Sequence, residues 1–529
     1  MSLPTTPVAS WTITEIAALT ATDIVELSTS QVKSLSTAHV ATLSAVQLQA
    51  FETADLAVFS GNQAKALQAA SLAALSTLQF QALNTSAISG LTSAQIVALT
   101  TAQIAAMKTN QVSAISTSGI AAMTSDQISA IATSGIVELT TAQIKAIEVA
   151  DLAALSVTQV QALATAQIKA LTTSQIAALT NTQVPAISTD GVAALTTAQV
   201  KAIETADLAL MTTSQIQSIT TAGVAKLTTD QIAALTTTQV VALMTEQVAA
   251  ISTSGIGALT STQIVAVEAV DIEALSSAQL KAINTTNFAT LGTGQIAALG
   301  TAQVKSLVTG QIAALTTAQA AALETSDIAV LSSAQVKAIT TTDFAALGTG
   351  QIDALTTAQV KSIQTSQIAA LTTTQVAVLG TDDIALLSSS QMGILSTAAM
   401  SALTTDQIAS ISTKAISGMS AAQVAALNTS AIVALSTSQV KALTTAQVPE
   451  LTTTQVAAIE TSDVAALSTA QIKVIETSDL VVMGTGQVAA LTSAQVKALT
   501  TAQVPALTTA QTEAIPTSNL AAMATSQLK

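Results

Sequence analysis

Seven acidic pairs with one spacing are the residues of this sequence whose types and positions best suit chemistry. In each pair a Glu precedes an Asp by three residues, and every pair has the same place in an eight-residue unit. Ca²⁺ prefers such oxygen ligands but takes six to eight of them, so a pair would need a second pair from a neighbouring molecule. Solvated acids at the positively polarised starts of helices are the alternative. The pairs are Glu52/Asp55, Glu148/Asp151, Glu204/Asp207, Glu268/Asp271, Glu324/Asp327, Glu460/Asp463 and Glu476/Asp479.

Other catalytic or metal-binding patterns are absent from the sequence. There is one histidine, His39, and no cysteine, so neither a Ser-His-Asp relay nor a thiolate metal site can be assembled with confidence in its parts. Gly-Thr-Gly-Gln at Gly292, Gly348 and Gly484 lacks the remaining glycines and the Gly-Lys-Thr of a phosphate loop. The sequence therefore predicts a protein that is not an enzyme and has no cofactor apart from the calcium considered above.

Composition excludes two classes of partner. Half of the 529 residues are hydrophobic, only 9% are charged, and the formal net charge is −14. Nucleic acid binding needs clustered basic residues, which this chain lacks. No apolar run is long enough for a membrane span. The start, Met1 to Pro7, has no basic region followed by an apolar core, so we expect export without a cleaved N-terminal signal.

These residues are positioned by an octad that runs through almost the whole chain, most simply Thr-Thr-Ala-Gln-Ile-Ala-Ala-Leu. Glu15 to Gln527 in steps of eight gives 65 octads without an insertion. The second Thr is a good helix N-cap before an Ala-rich segment, whereas a capping box results if the first Thr caps instead. A Gly or Asn at the first Thr position, as at Gly292 or Asn284, would suit a left-handed helix end. Pro185, Pro449 and Pro505 fit neither register well.

The expected fold is an all-α solenoid in which each octad is a short helix plus a two-residue corner. A single long helix fails, because eight residues at 3.6 per turn would move the Ile/Leu stripe by roughly 80° per octad. Short helices are not stable alone, so stacked octads must share a core of Ile and Leu. We expect about 3.4 or 2 octads per coil. Residues 1–14 are interpreted as an N-terminal lead-in or cap, and 15–529 as one continuous solenoid.

Lysines reveal a longer period of 136 residues, or 17 octads. They mostly follow the Ile or Val of an octad, and their spacing alternates between 24 and 32 residues, as in Lys281, Lys305, Lys337 and Lys361. Tandem duplication explains the period with no geometric meaning. Alternatively, one face of the solenoid returns every 3.4 octads and carries the charges. The two explanations are compatible.

The repeated phrase Leu-Thr-Thr-Ala-Gln-Val-Ala-Ala-Leu resembles that of long bacterial surface proteins described as large adhesins or surface-layer proteins. The acidic, Cys-free, Arg-poor and Thr/Ala-rich composition is similar to that of surface-layer proteins exported by type I secretion. The resemblance implies no site residues. It implies a protein of the bacterial cell surface that binds copies of itself, and possible binding of cell-surface polysaccharide.

We therefore expect an extracellular structural protein that self-assembles, end to end and laterally, into a surface layer, sheath or filament. The alternative is a binding module, either an adhesin stalk or an array of threonines that binds ice or another surface. Regular Thr corners would make such an array, but a regular Thr also serves simply as the cap.

Overall fold

The computed structural model of the chain describes residues 6–527, and within them every regular element is helical. There are 61 short α-helices, which begin every eight residues from Ile13–Ala18 to Thr517–Leu520. The octads of residues 181, 445 and 501 have 3₁₀-helices instead, at Val184–Ala186, Val448–Glu450 and Val504–Ala506. A fourth 3₁₀-helix, Val8–Ser10, precedes the first octad. The expectation of an all-α fold built from octads is confirmed.

The α-helices differ only in where they end. Those of four residues are Thr53–Leu56, Val149–Leu152, Thr221–Val224, Thr413–Ile416 and Thr517–Leu520. Those of five residues begin at Ala21, Thr37, Ala69, Thr101, Thr173, Thr189, Ala269, Thr285, Thr293, Thr309, Thr341, Thr349, Thr365, Thr373, Ser389, Thr397, Ala421, Thr429 and Thr485. All the others have six residues, as in Thr229–Ala234.

Each helix begins with a capping box, and this box decides between the two possible registers. In the octad of Thr100, the hydroxyl accepts the backbone N–H of Gln103 at 3.1 Å, and the Gln103 Oε1 accepts the backbone N–H of Thr100 at 2.9 Å. The first Thr of each pair is thus the N-cap, with an extended backbone, while the second is the first helical residue. The register that placed the cap on the second Thr is wrong.

Helix ends use no left-handed residue anywhere in residues 6–527. The expectation that Gly292 or Asn284 forms a left-handed C-cap is wrong, because both are N-caps with extended backbones. The Asn284 Oδ1 accepts the N–H of Asn287 at 2.9 Å, as a Thr hydroxyl would. The chain instead leaves each helix through an extended Leu or Ile, which points into the core and leads directly to the next cap.

The core consists of two side chains from each octad. In the octad of Thr229–Ala234, Ile232 is 1% exposed and Leu235 is 4% exposed, and the corresponding residues are buried in nearly every other octad. The Ala after each of these Ile or Val residues faces outwards. Burial of two branched side chains per eight residues supplies the stability that an isolated six-residue helix lacks.

The coil contains between three and four octads. Each helix packs against the one that begins 24 residues later, as Thr229–Ala234 does against Thr253–Ala258. Side-chain hydrogen bonds between successive coils join residues 25 to 31 apart. Both separations agree with about 3.4 octads per coil and exclude the alternative of two.

Prolines account for the three octads without an α-helix. Pro185 stands where other octads have the residue whose N–H donates to the carbonyl four residues earlier. Without that donor the segment tightens to Val184–Ala186, yet Val184 remains buried and Gln183 keeps its place. The fold tolerates proline here because the buried residues precede it.

The chain divides into two compact units, Met1–Val267 and Glu268–Lys529. In the first unit Val8–Ser10 packs against Thr29–Ser34, and Trp11 is 3% exposed with its Nε1 donating to the Thr6 carbonyl at 3.0 Å. Phe51 and Phe59 meet edge to face, with ring centroids 5.8 Å apart. The boundary between a lead-in over 1–14 and one solenoid over 15–529 stays a prediction.

Candidate functional site

The glutamine of the octad joins the ends of two helices in successive coils. Gln247 is fully buried, and its Oε1 accepts the N–H of the N-cap residue Met244 at 2.9 Å. Its Nε2 donates to the carbonyls of Ile216 at 3.0 Å and Ile219 at 2.6 Å, in an octad 32 residues earlier. The last carbonyls of a helix have no partner within that helix. One amide thus satisfies the start of its own helix and the end of another.

This arrangement recurs along both units and is called here the glutamine ladder. Its members are the buried glutamines at the third helical position, from Gln47 to Gln511 in the α-helices, with Gln527 in the final turn. The sequence indicated the capping role of this position but not the second set of bonds. One signal was available: Glu has the same reach but no N–H donor, and it occupies the position only at Glu15, in the first octad.

His39 replaces a ladder glutamine and makes the same two contacts. Its Nδ1 lies 3.3 Å from the backbone N of Ser36, and its Nε2 lies 2.8 Å from the carbonyl oxygen of Trp11, 28 residues earlier. With Nδ1 as acceptor and Nε2 as donor, a neutral imidazole reproduces both ends of the amide. The single histidine therefore has a structural place in the ladder.

The acidic pairs are split between the surface and the interior. In the pair of Glu324 and Asp327, Glu324 is the exposed N-cap, while Asp327 takes the ladder position and is 1% exposed. The Asp327 Oδ2 accepts the Glu324 backbone N–H at 3.2 Å. Other pairs have the same arrangement, with an exposed Glu and a buried Asp.

Among residues 6–527, no three or more His, Cys, Asp or Glu side chains come together as a metal site would require. The ten residues named first for calcium, Glu148, Asp151, Glu204, Asp207, Glu324, Asp327, Glu460, Asp463, Glu476 and Asp479, thus lie pair by pair in separate octads. A second molecule would have to supply further ligands. Calcium binding stays a prediction.

Aspartate at the ladder position accepts at the helix start but cannot donate to the preceding coil. Burial raises the pKa of several of these carboxyls above the usual value, and a nearby carboxylate adds to the effect. The groups concerned are Asp55, Asp207, Asp327, Asp383 and Asp479.

Asp383 is the most isolated of the ladder aspartates. Its cap is Gly380, which has no hydroxyl, and the Gly380 N–H approaches Oδ2 at 3.3 Å. The other oxygen, Oδ1, is buried without a hydrogen-bond partner among the described residues. Asp151 and Asp343 differ, because each accepts a hydroxyl from a helix three octads earlier: Ser125 at 2.6 Å and Thr317 at 2.9 Å.

The remaining candidates for chemistry are structural. Gly292 and Gly348 are helix caps whose backbone N–H groups bind Gln295 and Gln351, so Gly-Thr-Gly-Gln is a form of the octad. A small enclosed space beside Val448 is lined only by apolar side chains, including Leu451 and Val456. In residues 6–527 the longest helices have six residues, and none could cross a membrane.

A ladder of capped octads coiled around a shared Ile/Leu core defines this chain as an α-solenoid repeat protein. Its repeats match the family model described as the ALTTAQ repeat, over residues 79–109, 98–133, 144–181, 200–237, 264–301, 289–325, 320–357, 345–381, 376–413, 416–453, 456–493 and 472–509. These segments cover more than half of the chain, which therefore belongs to the ALTTAQ repeat family. A comparison with curated proteins finds no match.

Proposed function

We propose that the chain is an extracellular structural protein of bacteria, which self-assembles into a surface layer, sheath or filament and catalyses no reaction. The observation that carries the proposal is the glutamine ladder. The same bonds fasten coil to coil with no intervening loop in which a site could be built. Such a ladder gives elongated units whose surfaces repeat at the coil spacing, as an ordered assembly needs.

The chemistry of the surface supports contacts with further copies. Outward positions are mostly Thr, Ser and Ala, with one charge at intervals, and few large apolar side chains are exposed in any one place. A regular surface of this kind makes many weak contacts at a fixed repeat. A contact between two different faces of identical molecules does not close on itself, so it extends into a sheet or fibre. Polysaccharide of the cell surface is a further proposed partner.

The alternative of a threonine-array binding module, or an adhesin stalk, rests on the second Thr of each pair. The first Thr is occupied as a cap: the Thr172 hydroxyl accepts the N–H of Gln175 at 3.2 Å. The second, Thr173, is exposed and leaves its hydroxyl on the surface. Ice binding would appear as thermal hysteresis, and a stalk would remain monomeric.

Negative-stain electron microscopy of the full chain tests the proposal, first with millimolar calcium and then with a chelator. We expect sheets or filaments that become more abundant as the protein concentration rises. Disassembly by the chelator would support calcium bridging by the acidic pairs, and the variant Glu324→Gln with Asp327→Asn should then assemble less well. Isolated particles under both conditions would overturn self-assembly and favour the stalk or binding module.

A further inference from the structure

Twelve exposed lysines occupy one octad position and recur once per coil or at multiples of a coil. They are Lys33, Lys65, Lys145, Lys169 and Lys201 in the first unit, and Lys281, Lys305, Lys337, Lys361, Lys441, Lys473 and Lys497 in the second. The four from Lys281 to Lys361 are called the lysine row. Each follows the buried Ile, Val or Leu of its helix, so each ammonium group points away from the core.

Contacts between helices show that the lysine row is continuous. The helix of Lys281, Ser277–Ala282, packs against Thr301–Ser306, which carries Lys305. The Gln335 Nε2 then donates to the Lys305 carbonyl at 3.3 Å, which places the helix of Lys337 in the next coil. That helix, Ser333–Ala338, packs against Thr357–Ser362, which carries Lys361. At about 8–10 Å between packed helices, four ammonium groups follow one another along the unit.

Acidic residues form a second row in the same unit. Glu324, Asp353, Asp382 and Asp406 are exposed, separated by 29, 29 and 24 residues, and they are called the acidic row. Glu324 precedes the helix Thr325–Val330, which packs against Thr349–Asp353, and Thr381–Leu386 packs against Thr405–Ser410. Asp353 lies close enough to the carboxyl of Asp383 to raise its pKa, which joins the two halves of the row.

The two rows lie on different sides of the coil and do not neutralise each other. Asp353 falls between Lys337 and Lys361 in the chain, part of the way round one coil. No ammonium group of the lysine row makes an ion pair with any of the residues described. Continuing the row through the second unit meets Gly393 and Ser417, and never an acidic residue, before Lys441.

We propose that the lysine row is a docking surface for the acidic row of a second copy of this chain, and that this contact joins copies side by side. Both rows repeat with the coil, so four charges on one copy match four on the next without any adjustment of spacing. Single exposed ion pairs contribute little, but a matched row adds several along one line. A molecule with net charge −14 otherwise repels its copies, so attraction needs a positive surface of this kind.

The inference rests on the proposed self-assembly and specifies its lateral contact. Because the two rows are different surfaces, each copy offers one row to either neighbour, and the contact propagates instead of closing as a dimer. Screening by salt weakens it, since the Debye length falls from about 10 Å at 0.1 M to about 3 Å at 1 M.

Charge reversal in the full-length chain tests the pairing. One variant has Lys281→Glu, Lys305→Glu, Lys337→Glu and Lys361→Glu; the other has Glu324→Lys, Asp353→Lys, Asp382→Lys and Asp406→Lys. All eight side chains are exposed, and circular dichroism with thermal unfolding checks the fold of each variant. We expect each alone to need about tenfold or more protein for lateral assembly, in light scattering and electron microscopy. An equimolar mixture should assemble again, because the reversed rows are complementary.

A matched control separates the lysine row from net charge. Neutralising the row with four Lys→Gln substitutions lowers the net charge by four. Four exposed alanines at the same octad position, outside both rows, give the same change when replaced by Glu: Ala313, Ala329, Ala369 and Ala377. The glutamine variant should lose lateral assembly while the alanine variant keeps most of it.

The outcomes distinguish this inference from the proposed function. Sheets that persist after reversal of the lysine row would overturn the inference and leave self-assembly standing. Wild-type protein that never associates would overturn the proposed function and the inference with it. Failure of the mixture to assemble, with binding of heparin that requires the lysine row, would overturn pairing between copies in favour of an anionic polymer.

Discussion

The Nε2 of Gln247 lies 2.6 Å from the carbonyl oxygen of Ile219, 28 residues earlier in the chain and one coil below. The same side chain accepts the backbone N–H of Met244 with its Oε1, although Met244 has no hydroxyl to complete a capping box. At this octad the amide therefore carries both the start of one helix and the end of another. Neither a carboxylate nor an alkyl chain of equal length can do both.

We predict that Gln247→Glu destabilises the first unit by about 1–3 kcal/mol, because a buried carbonyl loses its donor and faces a carboxylate. Urea unfolding should show the change, and hydrogen exchange should place the faster opening in the coils of Ile219 and Gln247. Gln217→Glu is the matched control. The Gln217 side chain is exposed in the same pair of coils, so that variant should unfold almost as the wild type does. Equal stability of the two variants would contradict the role given to the ladder.

The reverse substitution should stabilise the second unit. Asp383 occupies a ladder position with one buried oxygen unpartnered, and Gln at that position makes bonds in both directions elsewhere. We expect Asp383→Gln to raise the free energy of unfolding by about 1 kcal/mol or more. Asp406→Asn is the control, because Asp406 is exposed on a neighbouring helix. A loss of stability in Asp383→Gln would show that the position does not have the ladder geometry.

Much of this architecture follows from the sequence, and the remainder depends on partners about one coil away. The spacing of Ile232 and Leu235 fixes a short helix with one buried side, and the period fixes the coil. Which Thr caps was undecided because both registers satisfy the local pattern. The second set of bonds of Gln247 is invisible locally, since its acceptors are 28 to 31 residues earlier. The acidic pairs looked alike in sequence because burial of their Asp depends on the neighbouring coil.

Stability should also depend on pH in an unusual direction. Burial raises the pKa of Asp55, Asp207, Asp327, Asp383 and Asp479. A group whose pKa is raised on folding stabilises the fold fully below its unfolded pKa, and that contribution disappears as the pH rises through the folded pKa. We therefore expect the melting temperature to increase as the pH is lowered from 7 towards 4.

Two groups oppose this trend. Hydrogen bonds from the backbone and hydroxyl of Thr12 lower the pKa of Glu15, and those of Thr20 lower the pKa of Asp23, so their contributions weaken in acid. Thermal unfolding at several pH values measures the balance, with Asp383→Gln as the matched variant. Its melting temperature should increase less in acid than that of the wild type. Equal pH dependence of the two proteins would exclude Asp383 as a contributor.

Close contact between coils depends on glycine at one place in the first unit. Gly90 ends the helix Thr85–Gly90, where a Cβ would overlap the Gly61 carbonyl, and a Cβ on Gly61 would lie 2.8 Å from the Ser86 carbonyl oxygen. The backbone must shift to admit a methyl group there, so we expect Gly90→Ala to destabilise by about 1–3 kcal/mol. Gly294→Ala is the control, since a Cβ on this helical glycine meets nothing within 4 Å. It should stabilise by about 0.5–1 kcal/mol through the lower entropy of the unfolded chain. Opposite signs in urea unfolding would establish that steric contact, and not glycine content, sets the coil spacing at Gly90; equal gains would refute it.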